Sequence, residues 1–270
     1  MKNYKGDRGY KAFVMLFIPV SLVILLIPIS IMFLRSLERK GFANYTTVIG
    51  QIHVGKSLWN SFVVVGSTIA ITVIVCSLAA YAFSKLRFRG KQALFIILMM
   101  GMMVPTSATL FPVFQITKTA GLMNKLSSLV GPYVTANAIF GLLMLKIFYD
   151  DLPNELMDAA KIDGASALQI FVKVYFPMSK PGLSVLLINT FCGSWNELMT
   201  CLTLIDNKEK YTMALLPYKF QLEKLAMYHN LDNWSEIFAC LIICMIPIVV
   251  FYAFAQKLIF KDIASGAVKG

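Results

Sequence analysis

The sequence predicts an all-α, polytopic membrane protein: a bundle of six transmembrane helices with short helices on its cytoplasmic face. Three observations predict it. Hydrophobic residues make up 58% of the 270 and charged ones only 14%, with a mean hydropathy of +0.70, outside the range of soluble domains. Six apolar stretches, 12–34, 62–83, 93–115, 127–149, 181–205 and 237–260, are long enough to cross a bilayer core, which takes about 20 helical residues. These stretches are apolar all round, as in LFIILMMGMM from Leu94 to Met103, whereas spanning β-strands alternate apolar and polar residues. A single transmembrane domain over residues 1–270 follows.

The first span follows a basic start (Lys2, Lys5, Arg8, Lys11), lacks a following A-x-A cleavage pattern, and reads as a retained signal-anchor helix. With the N-terminus inside, the inner segments 1–11, 84–92, 150–180 and 257–270 carry 14 Lys and Arg, against 10 in the outer segments 35–61, 116–126 and 206–236. The SKLRFRGK loop sharpens that bias, because Lys85, Arg87, Arg89 and Lys91 make so short a loop hard to translocate. Both termini are therefore expected in the cytoplasm. The net charge of +11 sits beside the spans, where it fixes topology and meets anionic membrane lipid, so nucleic acid is not an expected partner.

The second span runs from 62 to 83. In the third, Pro105 and Pro112 predict a kink or local unwinding, as do Gly131 and Pro132 near the start of the fourth. Irregular backbone at membrane depth is tolerated where protein or a water-filled cavity lines it, so a translocation path is one reading of these breaks and irregular packing the other. The fifth span holds FCGSWNELMT, which puts Trp195, Asn196 and Glu197 near mid-membrane, and Glu197 is the only acidic residue in any predicted span. An intramembrane carboxylate either marks a solute path or satisfies a buried partner at an early helix end. Segment 206–236, before the sixth span, is rich in aromatics (Tyr211, Tyr218, Phe220, Tyr228, Trp234), which suit an interfacial belt.

Chemistry-bearing clusters are scarce. The five cysteines (Cys76, Cys192, Cys201, Cys240, Cys244) fall within spans without disulfide or zinc spacing, and only His53 and His229 represent histidine. No catalytic residue and no metal site is expected.

Segment 150–180 is the longest inner one. Leu152, Leu156, Ala159 and Ala160 recur at helical spacing, with Asn154, Glu155 and Asp158 on the other face. Asp163-Gly164 then predicts a turn, and Ser166 with Gln169 has the spacing of a capping box that starts a second helix. Its apolar stripe is Ala167, Ile170, Phe171, Val174 and Tyr175, and Pro177 disfavours helix at Phe176. Small residues at the bend suit the close approach of another protein; the competing reading is a pair of helices lying on lipid head groups, against which the acidic first helix argues.

DAAKIDGASALQIFVKVYFP closely resembles the EAA loop of ABC importer permeases, whose pattern is E-A-A, three residues, G, nine residues, then I-x-L-P. Asp158, Ala159, Ala160, Gly164, Val174, Phe176 and Pro177 keep the spacing, with Asp for Glu at 158, Val for Ile at 174 and Phe for Leu at 176. AAYAFSKLRFRGK (Ala79 to Lys91), SWNEL and the terminal GAVKG (Gly266 to Gly270) are similar to the second, six-span permease subunit of carbohydrate importers of the maltose-transporter type. The resemblance implies a multi-pass protein of a prokaryotic plasma membrane that moves a sugar, a di- or oligosaccharide, by alternating access. The implied partners are a second permease, two ATPase subunits that bind ATP and magnesium, and an extracellular solute-binding protein. Asp158, Ala159, Ala160, Asp163, Gly164 and Ala165 would then couple to the ATPase, and Trp195, Asn196 and Glu197 would line the substrate path. No Walker sequence occurs in the chain, so no cofactor is expected within it. Glycerol-phosphate or polyol import is the alternative within that family. An ion-coupled transporter would need internal repeats and several buried ionisable groups, and a lipid-acting enzyme clustered catalytic residues.

Overall fold

Long helices dominate because the backbone of an apolar chain in lipid must satisfy its polar groups within each segment. The computed structural model describes residues 8–228 and 234–267. The end of the GAVKG motif, His229 and the other residues of 229–233 lie outside them. In chain order the helices are α1 (Arg8–Ser36), α2 (Ala43–Gln51), α3 (Val54–Lys85), α4 (Lys91–Met100), α5 (Thr106–Thr119), α6 (Ser127–Asp150), α7 (Glu155–Ile162), α8 (Ala167–Ile170), α9 (Phe176–Met178), α10 (Lys180–Trp195), α11 (Met199–Leu204), α12 (Leu216–Tyr228) and α13 (Trp234–Ala267). Among the described residues there is no strand.

Four helices (α1, α3, α6 and α13) are individually long and apolar enough to span a membrane. Two bent pairs raise the number to six: residues 91–103 with α5, bent by 99°, and residues 167–178 with α10, bent by 76°. The expected third span is therefore broken at Val104–Pro105, as its proline predicts. The fourth is not: α6 runs unbroken through Gly131 and Pro132. Proline at the sixth position of a helix forfeits one bond, to Ser128, and leaves the remaining turns intact. The fifth also differs from expectation, since Asn196–Leu198 separates α10 from α11.

The chain divides into two units, residues 1–52 with 219–245 and residues 53–218 with 246–270. In the first, Asn44 donates to the carbonyls of Ser36 and Glu38, both at 2.8 Å, closing the turn between α1 and α2. Glu236 is buried there between Lys224 at 2.6 Å and Lys40 at 3.3 Å, so its charge is paired. Phe220 is buried in α12, and in the second unit so is Tyr211, which removes these two from the expected belt; Trp234 and Tyr218 keep an exposed edge, and the side chain of Tyr228 lies outside the described residues.

The second unit is built on α3, α6 and α10. Close packing needs small residues where backbones approach, and Gly141 and Gly182 supply them. A methyl group at Gly141 would lie 2.6 Å from Leu186 Cδ1 and 2.9 Å from Cys76 Sγ; one at Gly182 would lie 2.7 Å from the Phe148 ring. Below this waist the core continues through Tyr81, Leu145 and Tyr149 to Ile170, Phe171 and Tyr175 beneath the 151–166 loop. At the other end of α3, Asn60 donates to the carbonyls of Glu209 and Tyr211, and Ser61 Oγ accepts from the Met213 amide. Lys56 pairs with Glu209 beside them.

A protruding helix pair and an intramembrane cavity

The protruding site is the 151–166 loop. Glu155 and Asp158 occupy the first turn of α7, where they favour the positive helix end, and Lys161 the last. The turn closes as the sequence predicts: Gly164 takes φ +76°, its amide donates to the Lys161 carbonyl, and the Ala165 amide donates to Ala160. Ser166 caps α8, with its hydroxyl accepting from the Gln169 amide at 3.3 Å and the Gln169 side chain accepting from the Ser166 amide at 2.8 Å. Both halves of the capping box are therefore formed.

The faces differ in part from expectation. Leu152, Met157, Ala160 and Ala165 turn toward the core, while Ala159 faces outward with Asp158, Asp163 and Gly164. On the second arm Ile170, Phe171 and Tyr175 are buried, but Ala167 is exposed. Phe176 is helical, against the proline rule: helical backbone runs without a break from Ala167 through Pro177 to Met178. A π-helical turn, Phe171–Tyr175, precedes it and rotates the aromatic stripe onto Tyr81. The sequence reading missed Ile162: it caps the bend at 87% exposure, with Leu168 and Val172 also exposed. A large apolar tip on an acidic, hydrogen-bonded turn is a surface that another protein can bury.

The second site is a cavity of about 610 Å³ inside the bend at Val104–Pro105, walled by α5, α6 and the start of α11. Its lining includes the hydroxyl residues Thr106, Thr109, Tyr133 and Thr200, among others, and the carboxylate of Glu197. The three predicted path residues are placed differently from one another. Trp195 is 3% exposed, stacked on Phe191 at 5.1 Å and edge-on to Phe62 at 5.2 Å, so its ring is consumed in packing. Asn196 ends α10 by donating to the Cys192 carbonyl at 2.9 Å. Glu197 alone of the three lines the cavity. Its carboxylate oxygens accept from the Thr200 amide at 3.1 and 3.0 Å, and its carbonyl accepts from the Tyr133 hydroxyl at 3.2 Å. It thus satisfies a free amide of the short helix while presenting charge to the cavity.

Among the described residues no group of three or more His, Cys, Asp or Glu could hold a metal. The cavity offers hydroxyls and a single carboxylate, a set suited to binding and orientation. Spans, broken helices, an intramembrane cavity and a protruding helix pair together define the membrane component of a solute transporter. The chain belongs to the family of binding-protein-dependent transport system inner membrane components, whose sequence profile matches residues 73–265. It is 32% identical to the trehalose transport system permease protein SugB of Mycobacterium tuberculosis over 233 residues, 85% of this chain and 82% of that protein. It is 26% identical to the diacetylchitobiose uptake system permease protein NgcG of Streptomyces coelicolor, covering 83% of this chain and 73% of the relative. In three dimensions it matches a bacterial ABC transporter that imports the acidic polysaccharide alginate, with a TM-score of 0.77 and 22% identity over 93% of this chain and 98% of the other. A second structure of the alginate transporter, in complex with a pentasaccharide-bound periplasmic protein, matches with a TM-score of 0.72 and 16% identity over 95% and 96% of the two chains.

Proposed function

We propose that the chain is the permease subunit of an ATP-driven ABC importer of a di- or oligosaccharide, working by alternating access. The observation that carries this reading is the protruding helix pair. Asp158, Ala159, Ala160, Asp163, Gly164 and Ala165 sit on a turn closed by its own hydrogen bonds, with Ile162 projecting at its tip. Such a turn suits a cleft on a separate ATPase, which binds ATP and magnesium and transmits closure to the spans. A second permease completes the pathway, and an extracellular solute-binding protein delivers the sugar. Relatives named for trehalose and diacetylchitobiose support the substrate class.

The charges of Arg87 and Arg89, beside the same end of α3 that contacts this loop, support a cytoplasmic location for it and for both termini of a multi-pass plasma-membrane protein. In the cavity, Glu197 favours a neutral, hydroxyl-rich solute over an anion such as glycerol phosphate. Purification tests the assembly: the tagged chain should bring down a homologous permease and a homodimeric ATPase. Uptake of labelled mono-, di- and trisaccharides should cease when that ATPase is inactivated. Solute movement by the pure chain down an ion gradient would overturn the reading.

A further inference from the structure

AAYAFSK, at the end of α3, contains two polar side chains whose partners lie on the protruding loop. Tyr81 is buried, and its hydroxyl donates to the Ala167 carbonyl at 3.1 Å, in the first turn of α8. Lys85, one turn further on, is 8% exposed. Its ammonium donates to the Leu152 carbonyl at 2.7 Å and to Asn154 Oδ1 at 3.0 Å, just before α7. The same ammonium lies 5.4 Å from the centre of the Tyr175 ring. That ring is itself 5.3 Å from Tyr81 and 5.9 Å from Tyr149.

Burying a lysine is costly unless its charge is paired, and among the described residues no carboxylate lies at hydrogen-bond distance from Lys85. What holds it is a carbonyl just past the C-terminus of α6, an amide oxygen and an aromatic face, a set that favours a cation by helix dipole and ring quadrupole. Neighbouring groups hold the rest of the junction: Ser84 donates to Asp150 at 2.6 Å, and Lys91 donates to the Ser84 and Leu86 carbonyls. Residues four apart on a helix share a face. One rigid turn of α3 therefore touches the chain on both sides of the bend, before α7 and at the start of α8.

We infer that Tyr81 and Lys85 are positioning residues for coupling, a two-point clamp that fixes both arms of the protruding helix pair to the second span. The inference rests on the reading of that pair as the ATPase contact. With the clamp in place, a push on the tip at Ile162 moves α3 as one body with the loop. Without it, α7 and α8 can pivot at Gly164 and the motion is absorbed in the turn.

The test uses the whole complex of both permeases and the ATPase, with Thr106→Cys as a reporter in the cavity of an otherwise cysteine-free chain. The reporter's labelling rate by a thiol reagent is compared with and without Mg-ATP and vanadate. In the complex without clamp substitutions the rate should depend on nucleotide. In Tyr81→Phe/Lys85→Met the nucleotide-dependent change should shrink about tenfold, as expected for loss of a hydrogen bond to a charged group. Basal ATP hydrolysis should stay within about twofold, because no clamp residue faces nucleotide. Lys85→Arg should restore most of the response. An unchanged response in the double variant would overturn the clamp. So would a parallel fall of hydrolysis and response that Lys85→Arg does not rescue. Should the double variant fail to assemble, Tyr81→Phe alone removes one hydroxyl and should still reduce the response about threefold. If the complex without clamp substitutions shows no nucleotide-dependent change, the importer reading fails. Amide exchange across 152–168 then decides the clamp by itself: about tenfold faster exchange in the double variant supports it and equal exchange sinks it.

Discussion

The chain bends sharply at Asp163–Ser166 and again at Val104–Pro105, and the two bends are built in opposite ways. At the first, the turn closes on its own backbone through the Gly164 and Ala165 amides, the arms are fastened to α3, and the apolar tip is left outside. At the second, proline opens the helix by 99° and the space inside is a cavity rather than packed side chains. The contrast teaches that a bend can serve as a lever or as a room. A lever needs stiffness at its root and an unpartnered tip, and a room needs a break whose backbone is satisfied from the side. On the facing wall of the cavity, Glu197 does this for the neighbouring break at Asn196–Leu198, accepting from the Thr200 amide in the first turn of α11.

Changes at the lever should have the largest effects. Gly164→Val should abolish uptake to below about a hundredth while leaving membrane insertion intact, because a β-branched residue strongly disfavours positive φ. Nothing lies within 4 Å of the missing Cβ, so the cost is purely conformational and Gly164→Asn, which tolerates that region, should recover much of the uptake. Normal uptake in the valine variant would erase the difference between the two bends. At the waist, Gly141→Val should instead lower thermal stability, by about 1–3 kcal/mol for overpacking. The clash with Leu186 and Cys76 should show as loss of folded protein in detergent melts. Unchanged melting would mean the three helices are less closely packed than described.

Smaller effects are expected in the room. Glu197→Gln keeps an oxygen for the Thr200 amide but removes the charge, so folding should hold while the apparent affinity for solute changes by about three- to tenfold. Equal affinity and rate would leave Glu197 as a helix cap only. The smallest change in affinity should come from Trp195→Phe, since that ring faces Phe62 and Phe191. A stability loss of about 1–2 kcal/mol with unchanged affinity is expected for the lost packing. A large affinity loss would put Trp195 back on the solute path.

The lever was the more legible of the two in the sequence. Gly164 and the Ser166–Gln169 box are local signals, since a positive φ and a capping hydroxyl depend on residues a few positions apart. The Pro105 break is local for the same reason. What escaped depends on distant partners. Lys85 reads as one more topology-fixing charge until Leu152 and Asn154 are seen beside it. Trp195 reads as part of the substrate path until two phenylalanines are seen against its ring. Periodicity placed Ala159 inside, but an eight-residue helix has room for only two turns, and Met157 takes the inward position. Pro132 suggested a break because its residue type is visible and its harmless position near a helix start is not.

Cross-linking compares the two bends directly. In the assembled complex, with native cysteines removed, Ile162→Cys and Thr106→Cys are each treated with the same bifunctional thiol-to-amine reagent. A strong adduct with the ATPase subunit is expected from position 162 and none from position 106. No adduct at 162, or equal adducts at both, would contradict it.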